Sequence, residues 1–334
     1  MKFMSKKILV TGGAGFIGSH LVDHLLELGH EVVVLDNLSN GKLENLQSAG
    51  LNSKFKFIEG SILEVKVCEV ALKDVSIVFH LACLGVRHSI HSPYENHRVN
   101  AEGTLNILLA AKQENVKQFI YVSTSEIYGR TSVFPITEAN LTHPLTVYGA
   151  SKLAGEHYTN SFFECYGMNT TVLRIFNNYG PRAHYEGDSG EIIPRTIVNV
   201  LNGISPVVFG DGSITRDFFF VKDTAKVLVT LIDNEEIKGK TFNLGTGTEI
   251  TMKHLVEKII QFMPEFNVSM QFLADRPADV PRLWVDASLI RKTISIHTEV
   301  SFEEGLLETI SFYEKLNKNA DLSKSIKTIN WVKE

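Results

Sequence analysis

The chain has 334 residues, 44% of them hydrophobic, and a formal net charge of −5. That is room for one large α/β unit or two modest domains with a full core, and so mild a charge gives no reason to expect a nucleic-acid or membrane-surface partner. The three cysteines, Cys68, Cys83 and Cys165, are odd in number and fit no zinc spacing, so they read as free thiols in a reducing cytosol with no metal site.

Residues 1–7 carry no apolar core of a signal peptide, and no apolar run reaches the length of a membrane span, so a cytoplasmic protein is expected. Residues 8–10 form a first apolar strand that runs into the loop Thr11-Gly12-Gly13-Ala14-Gly15-Phe16-Ile17-Gly18. Residues 19–28 read as an amphipathic helix closed by Gly29. Further apolar strands follow at 32–35, ending on Asp36, then at 54–58, 77–80, 119–122 and 171–175, with helical patterns between several of them, notably at 101–112 and 148–163. Continuous apolar strands separated by helices imply a parallel sheet covered on both faces, a doubly wound Rossmann-type α/β fold. After Phe176 the texture changes: residues 177–190 are polar and rich in turn formers, and 192–301 mix short strands and helices. This reads as a smaller substrate-binding lobe, discontinuous because 241–244 looks like one more strand of the main sheet. The expected division is 1–176 for the cofactor domain, 177–315 for the lobe and 316–334 for a polar, loosely held tail. No repeat or low-complexity segment is evident.

The motif Gly13-x-Gly15-x-x-Gly18 is weak alone, but here it follows a strand and opens a helix. Glycines in that place let backbone N–H groups approach a pyrophosphate at the helix N-terminus. Asp36 ends the second strand, 18 residues after Gly18. A carboxylate there accepts hydrogen bonds from both ribose hydroxyls and repels a 2′-phosphate; Asn37-Leu38-Ser39 brings no arginine, so NAD is expected over NADP. Tyr148 and Lys152 stand four residues apart on one helix face. A free phenol titrates near 10, and a base working near neutrality needs it about 3 units lower, roughly 4 kcal/mol of differential stabilisation. The Lys152 ammonium and a positive nicotinamide ring are the expected source. Ser123-Thr124-Ser125-Glu126 follows the fifth strand, at the carboxyl end where ligands bind, and the Thr124 hydroxyl is placed to relay a sugar proton to Tyr148.

These residues carry a family resemblance. Thr11-Gly12-x-x-Gly15-x-x-Gly18 with Tyr148-x-x-x-Lys152 resembles the extended short-chain dehydrogenase/reductase family, in its nucleotide-sugar epimerase, dehydratase and decarboxylase group. Further matches are His80-Leu81-Ala82, Asn100 in Val99-Asn100-Ala101-Glu102-Gly103-Thr104, Arg174-Ile175-Phe176-Asn177, Gly180-Pro181-Arg182, Thr215-Arg216-Asp217-Phe218 and Asp275-Arg276-Pro277. The resemblance implies a Thr124–Tyr148–Lys152 triad, with Tyr148 taking the proton of the sugar 4-hydroxyl while C4 gives hydride to NAD. It implies cofactor contacts from Gly12, Gly15, Phe16, Ile17, Gly18, Asp36, Asn37, Ser61, Ile62, Leu81, Ala82, Asn100, Tyr148 and Lys152. Ser61 stands where the family usually has the acid that holds adenine. The substrate is implied to be a nucleotide-diphosphate sugar, met by Arg87, Asn177, Arg182, Arg216 and Arg276, since guanidinium forks suit a diphosphate. A homodimer through the helices at 101–112 and 148–163 is also implied; Leu153, Ala154, Tyr158 and Phe162 suit either core or interface.

The reaction after C4 oxidation is left open by the residues. Glu126 resembles the C5 base of 4,6-dehydratases, with Ser125 in the place of their acid. Thr-Ser-Glu also fits UDP-glucuronate decarboxylases, whereas Gly85-Val86-Arg87-x-Ser89 and Thr215-Arg216-Asp217-Phe218 look more like 4-epimerases. A dehydratase leads, a 4-epimerase follows closely, and a dinucleotide-binding sensor without turnover is the reading of another class. His88, His91 and His97 crowd one segment and are read as part of a substrate loop, not a metal site.

Overall fold

A computed structural model describes residues 5–275, 280–294, 296 and 300–331. Seven parallel strands form the main sheet. Along the chain come β1 (Lys7–Thr11), α1 (Phe16–Glu27), β2 (Glu31–Asp36), β3 (Phe55–Glu59), α2 (Val65–Leu72), β4 (Ile77–His80), α3 (Val86–His91), α4 (Pro93–His97), α5 (Gly103–Gln113), β5 (Gln118–Thr124), α6 (Val147–Tyr166) and β6 (Thr170–Ile175). The sheet order is β3-β2-β1-β4-β5-β6, closed at its edge by β11 (Thr241–Leu244). The order reverses between β1 and β4, and a crevice opens outside the carboxyl ends at such a point. The register Val10↔Val34 and Val10↔Phe79 sets Thr11, Asp36 and His80 at that rim.

The strands are near-continuous apolar runs because both faces are covered. One core, with Val10, Leu21, Leu25, Phe79 and Leu173, lies under α1 and the chain after β11; the other, with Leu9, Cys68, Ile107, Leu108 and Phe119, lies under α2 and α5. Thr146 starts α6, its Oγ1 accepting from the Gly149 amide, and Gly167 ends it in the left-handed region at φ +64°. α5 begins later than the sequence pattern suggests, because residues 98–102 form a π-turn before it. Phe162 is buried, while Leu153 and Tyr158 pack against the two cores.

The lobe contains β7 (Asn177–Tyr179), α7 (Ile192–Leu201), β8 (Val207–Phe209), β9 (Thr215–Arg216), β10 (Phe218–Phe220), α8 (Val221–Thr230), β12 (Ile250–Thr251), α9 (Met252–Gln261), β13 (Gln271–Leu273), β14 (Arg282–Leu283), α10 (Ser288–Thr293) and α11 (Phe302–Asn317). Its own core gathers Tyr179, Ile193, Ile197, Phe220, Leu255 and Leu306. α8 is an exception: it packs against α1, and with β11 it ties this half of the chain to the main sheet.

The last segment departs from the expected loose tail. Leu322 and Asn330 are buried, Asn330 Nδ2 donates to Gly190 O at 3.0 Å, Arg195 Nη2 donates to Thr328 O at 2.9 Å, and Trp331 packs edge-on against Phe209. Polar composition misled there because the anchoring is done by a few spaced residues. No described helix is long and apolar enough to cross a membrane.

Candidate active site

The glycine loop leaves β1 and turns under α1. Gly12 has φ +70°, and a Cβ on it would stand 2.8 Å from the Ala82 backbone; a Cβ on Gly18 would stand 2.2 Å from Gly12 O. Any side chain at either place displaces the loop. Gly15 starts α1 with no side-chain cap, and the first turn holds no acid, so its amides are left to an anion. Asp36 braces the other wall: Oδ2 accepts from the Ala14 amide at 3.0 Å and Oδ1 from the Leu38 amide at 2.9 Å. Burial raises its carboxyl above the usual range, against the pull of those two bonds. A carboxylate has about four acceptor directions, so two remain for ribose hydroxyls. Phe16, Ile17, Asn37, Ser61, Ile62, Leu81 and Ala82 line the same groove. The Ser61 hydroxyl also accepts from the Leu63 amide at 3.2 Å, so it serves the local turn as well.

Asn100 is not a lining residue. It is buried and clamps the loop after β4: Oδ1 accepts from the Leu84 amide at 2.8 Å, while Nδ2 faces Leu84 O and Ser151 Oγ at 3.0 and 3.1 Å. Its role is to hold that loop against α6, one step behind the groove. His80 is likewise a brace, bonded to Thr11 Oγ1 at 2.6 Å and Thr104 Oγ1 at 3.0 Å, and burial lowers it to about 3.

At the far end of the groove β5 delivers Thr124, Ser125 and Glu126, and α6 delivers Tyr148 and Lys152; all five line the cleft. The Thr124 hydroxyl accepts from the Glu126 amide at 3.2 Å and lies close to the Tyr148 phenol, which it favours in its charged form. Lys152 differs from expectation. Its Nζ donates to Val122 O at 2.7 Å and lies 4.2 Å over the Tyr121 ring, and burial lowers it. The phenol is pushed well above its ordinary value, first by burial, then by Cys83, with Glu126 and Glu191 acting the same way; the Thr124 hydroxyl opposes them. The helical spacing placed both groups on one face but could not show that a main-chain carbonyl claims the amine.

The proposed substrate contacts divide. Asn177 lines the cleft, and its Oδ1 is buried without a hydrogen-bond partner, as is Ser123 Oγ beside it. Such orphaned atoms are what a ligand satisfies. Arg87 does not line the cleft, although its neighbour Val86 does. Arg182 points to a separate hollow behind α1, where Nη1 pairs with Asp23 Oδ2 at 2.7 Å. Arg216 is buried and Nη1 donates to the carbonyls of Thr215 and Val280 at 2.8 and 2.7 Å, fastening β9 instead of facing the cleft. Arg276 lies outside the described residues.

Several lining residues carried no sequence signal of their own: Cys83, Asn178, His184 and Glu191. Two of them belong to the turn-rich stretch after β7, whose only hint was its polarity. That stretch crosses the groove. Glu186 Oε1 pairs with Lys42 Nζ at 2.8 Å and takes His184 Nδ1 at 3.1 Å, and Ser189 Oγ donates to Asn40 Oδ1 at 2.9 Å. Asp188 adds His91 Nε2 at 3.1 Å. The histidine-rich segment thus anchors this strap, and His88 pairs with Glu95 at 3.3 Å.

Residues 9–309 match the family model described as GDP-mannose 4,6 dehydratase. The chain belongs to this family. Its members share the extended short-chain dehydrogenase/reductase architecture. One relative, a putative UDP-glucose 4-epimerase of Methanocaldococcus jannaschii, is 34% identical over 93% of this chain and 99% of its own. A UDP-N-acetylglucosamine 4-epimerase from Methanobrevibacter ruminantium, solved with UDP-N-acetylmuramic acid, is 35% identical with a TM-score of 0.89 over 94% of this chain and 100% of its own. A dTDP-glucose 4,6-dehydratase from Streptomyces venezuelae, solved with NAD, is 28% identical with a TM-score of 0.87 over 93% and 98%. The protein is an NAD-dependent family member, and its glycine cradle, open helix start and Asp36 fit that dinucleotide.

Proposed function

We propose that the protein oxidises C4 of a nucleotide-diphosphate sugar and returns the hydrogen to the opposite face, as a 4-epimerase. One observation carries this choice over the dehydratase first favoured from sequence. The place of the acid that expels a C6 hydroxyl is held by Ser125, a buried hydroxyl of 3% exposure that starts the turn after β5. A serine hydroxyl is a poor proton donor to a leaving group. The named epimerases among the relatives support the same reading.

In this mechanism Thr124 holds the sugar 4-hydroxyl and Tyr148 takes its proton. NAD supplies the hydride acceptor when bound, together with a positive charge that offsets the burial of the phenol. Lys152 lies one turn on, its amine anchored by Val122 O, and would hold the cofactor ribose. Asn177 Oδ1 and Ser123 Oγ gain partners from the ligand. Epimerisation then needs only that the 4-keto sugar present its other face, with no further acid or base.

Glu126 keeps the dehydratase and decarboxylase readings in view, since it lines the cleft and acts electrostatically on the phenol. Product mass separates the three: unchanged for an epimerase, less water for a dehydratase, less carbon dioxide for a decarboxylase. Glu126→Gln lowers kcat by less than about tenfold in an epimerase. A loss of about 10²-fold or more, the usual worth of a general base, assigns Glu126 to the chemistry instead.

A further inference from the structure

The charges around the phenol are unequal. Glu126 enters from the end of β5 and Glu191 from the lobe, and both raise the Tyr148 phenol, so both are close enough to act on it. Lys152 is the one Lys or Arg lining the cleft among the described residues, and its amine is buried and donated to Val122 O. His184, across the same cleft, is tied through Nδ1 to Glu186. Arg87, Arg182 and Arg216 do not line it.

Glu191 is held in place by its backbone. Its amide donates to His184 O at 2.7 Å, and it starts α7 without capping the helix through its side chain. Its carboxylate has no hydrogen-bond or ion-pair partner among the described residues. A half-buried carboxylate in that position accepts hydrogen bonds from neutral sugar hydroxyls. It also repels a second anion in a partly desolvated cleft.

We propose that Glu191 is a specificity-determining residue that admits nucleotide sugars with an uncharged ring and turns away those bearing a C6 carboxylate. This rests on the reading that the sugar sits against Tyr148. Selection here works by an element that disfavours the wrong ligand as well as by contacts to the right one. It also weighs against a uronate decarboxylase.

The test compares UDP-glucose with UDP-glucuronate on the NAD-loaded enzyme and on Glu191→Gln, an isosteric change that removes no helix cap. Wild type is expected to favour UDP-glucose by roughly tenfold or more in kcat/KM, and the ratio is expected to narrow severalfold in Glu191→Gln. The acid limb of the kcat/KM profile is expected to move to lower pH in the variant, because a negative charge that raises the phenol is gone; a structural role alone leaves that limb in place. A wild type that prefers the uronate, or a ratio unchanged in Glu191→Gln, overturns the proposal. Calorimetric binding of the same pair reads the ratio without turnover. Preferential binding of UDP-glucose, relaxed in the variant but with no product from either sugar, supports charge selection while refuting C4 oxidation.

Discussion

Tyr148 and Lys152 share a face of α6 and meet different surroundings. The phenol faces the cleft and the Thr124 hydroxyl; the amine is drawn to a strand carbonyl. Tyr148→Phe removes the proton acceptor and leaves the glycine cradle alone. Turnover is expected to fall by about 10²- to 10⁴-fold with NAD still bound, as read by assay and by cofactor content after gel filtration. Full activity in that variant removes Tyr148 from the mechanism. Gly18→Ala does the reverse. Its Cβ would stand 2.2 Å from Gly12 O, so the loop must shift, and purified variant is expected to carry much less NAD than wild type. Both residues were legible in the sequence because local spacing alone fixes their geometry. Arg182 and Asn100 were not. Arg182 meets Asp23 and Asn100 meets Ser151, partners far away in sequence that only the folded chain brings together.

Periodicity identified the strands of the main sheet, with α1, α5 and α6, within a few residues, since a strand buried on both faces has little choice of composition; the short helices α2, α3 and α4 gave no such signal. The strap from 184 to 189 gave no such signal. It has no periodicity, and its bonds to Asn40, Lys42 and His91 are all long-range. Glu186 is held to about 2, with His184 and Lys42 overcoming the cost of its burial, so it is ionised throughout the ordinary pH range. Because the strap joins one rim of the groove to the other, it is expected to slow the release of NAD. Lys42→Ala and Glu186→Gln are each expected to speed NAD release two- to fivefold, about 0.5–1 kcal/mol for a partly exposed pair. The check is stopped-flow displacement followed by cofactor fluorescence. Equal release rates in wild type and both variants would show that the strap bears no part of the cofactor's retention.

At the scale of the molecule the doubly wound fold was readable from alternation of strand and helix, whereas the anchoring of 316–331 to the lobe was not, because it depends on a few spaced residues, among them Leu322, Thr328, Asn330 and Trp331. The whole fold also carries a pH signature. His80 lies at about 3 and His20 at about 4, each lowered first by burial from an ordinary 6.5. Their folded values are below their unfolded ones, so below pH 6.5 the unfolded chain binds the extra protons. The stability that depends on their staying neutral is complete above 6.5 and is lost as pH falls toward 4 and then 3. Burial raises the carboxyls of Asp23, Asp36 and Asp217, which take up protons in the fold and offset the loss at more acid pH. Between pH 7.5 and 5 His30 and His88, less deeply buried and also lowered, add to the loss. Across that span His80 and His20 together are expected to cost about 4 kcal/mol, roughly half from each, at about 1.4 kcal/mol per proton per unit. His20→Gln keeps a donor toward Pro181 O, which His20 Nε2 now meets at 2.9 Å, and removes its titration. Urea unfolding at fixed, saturating NAD is expected to show a shallower pH slope in that variant, by about 2 kcal/mol over pH 7.5 to 5. An equal slope in both proteins would mean that His20 is already protonated in the fold, or that its burial is lost before the chain unfolds.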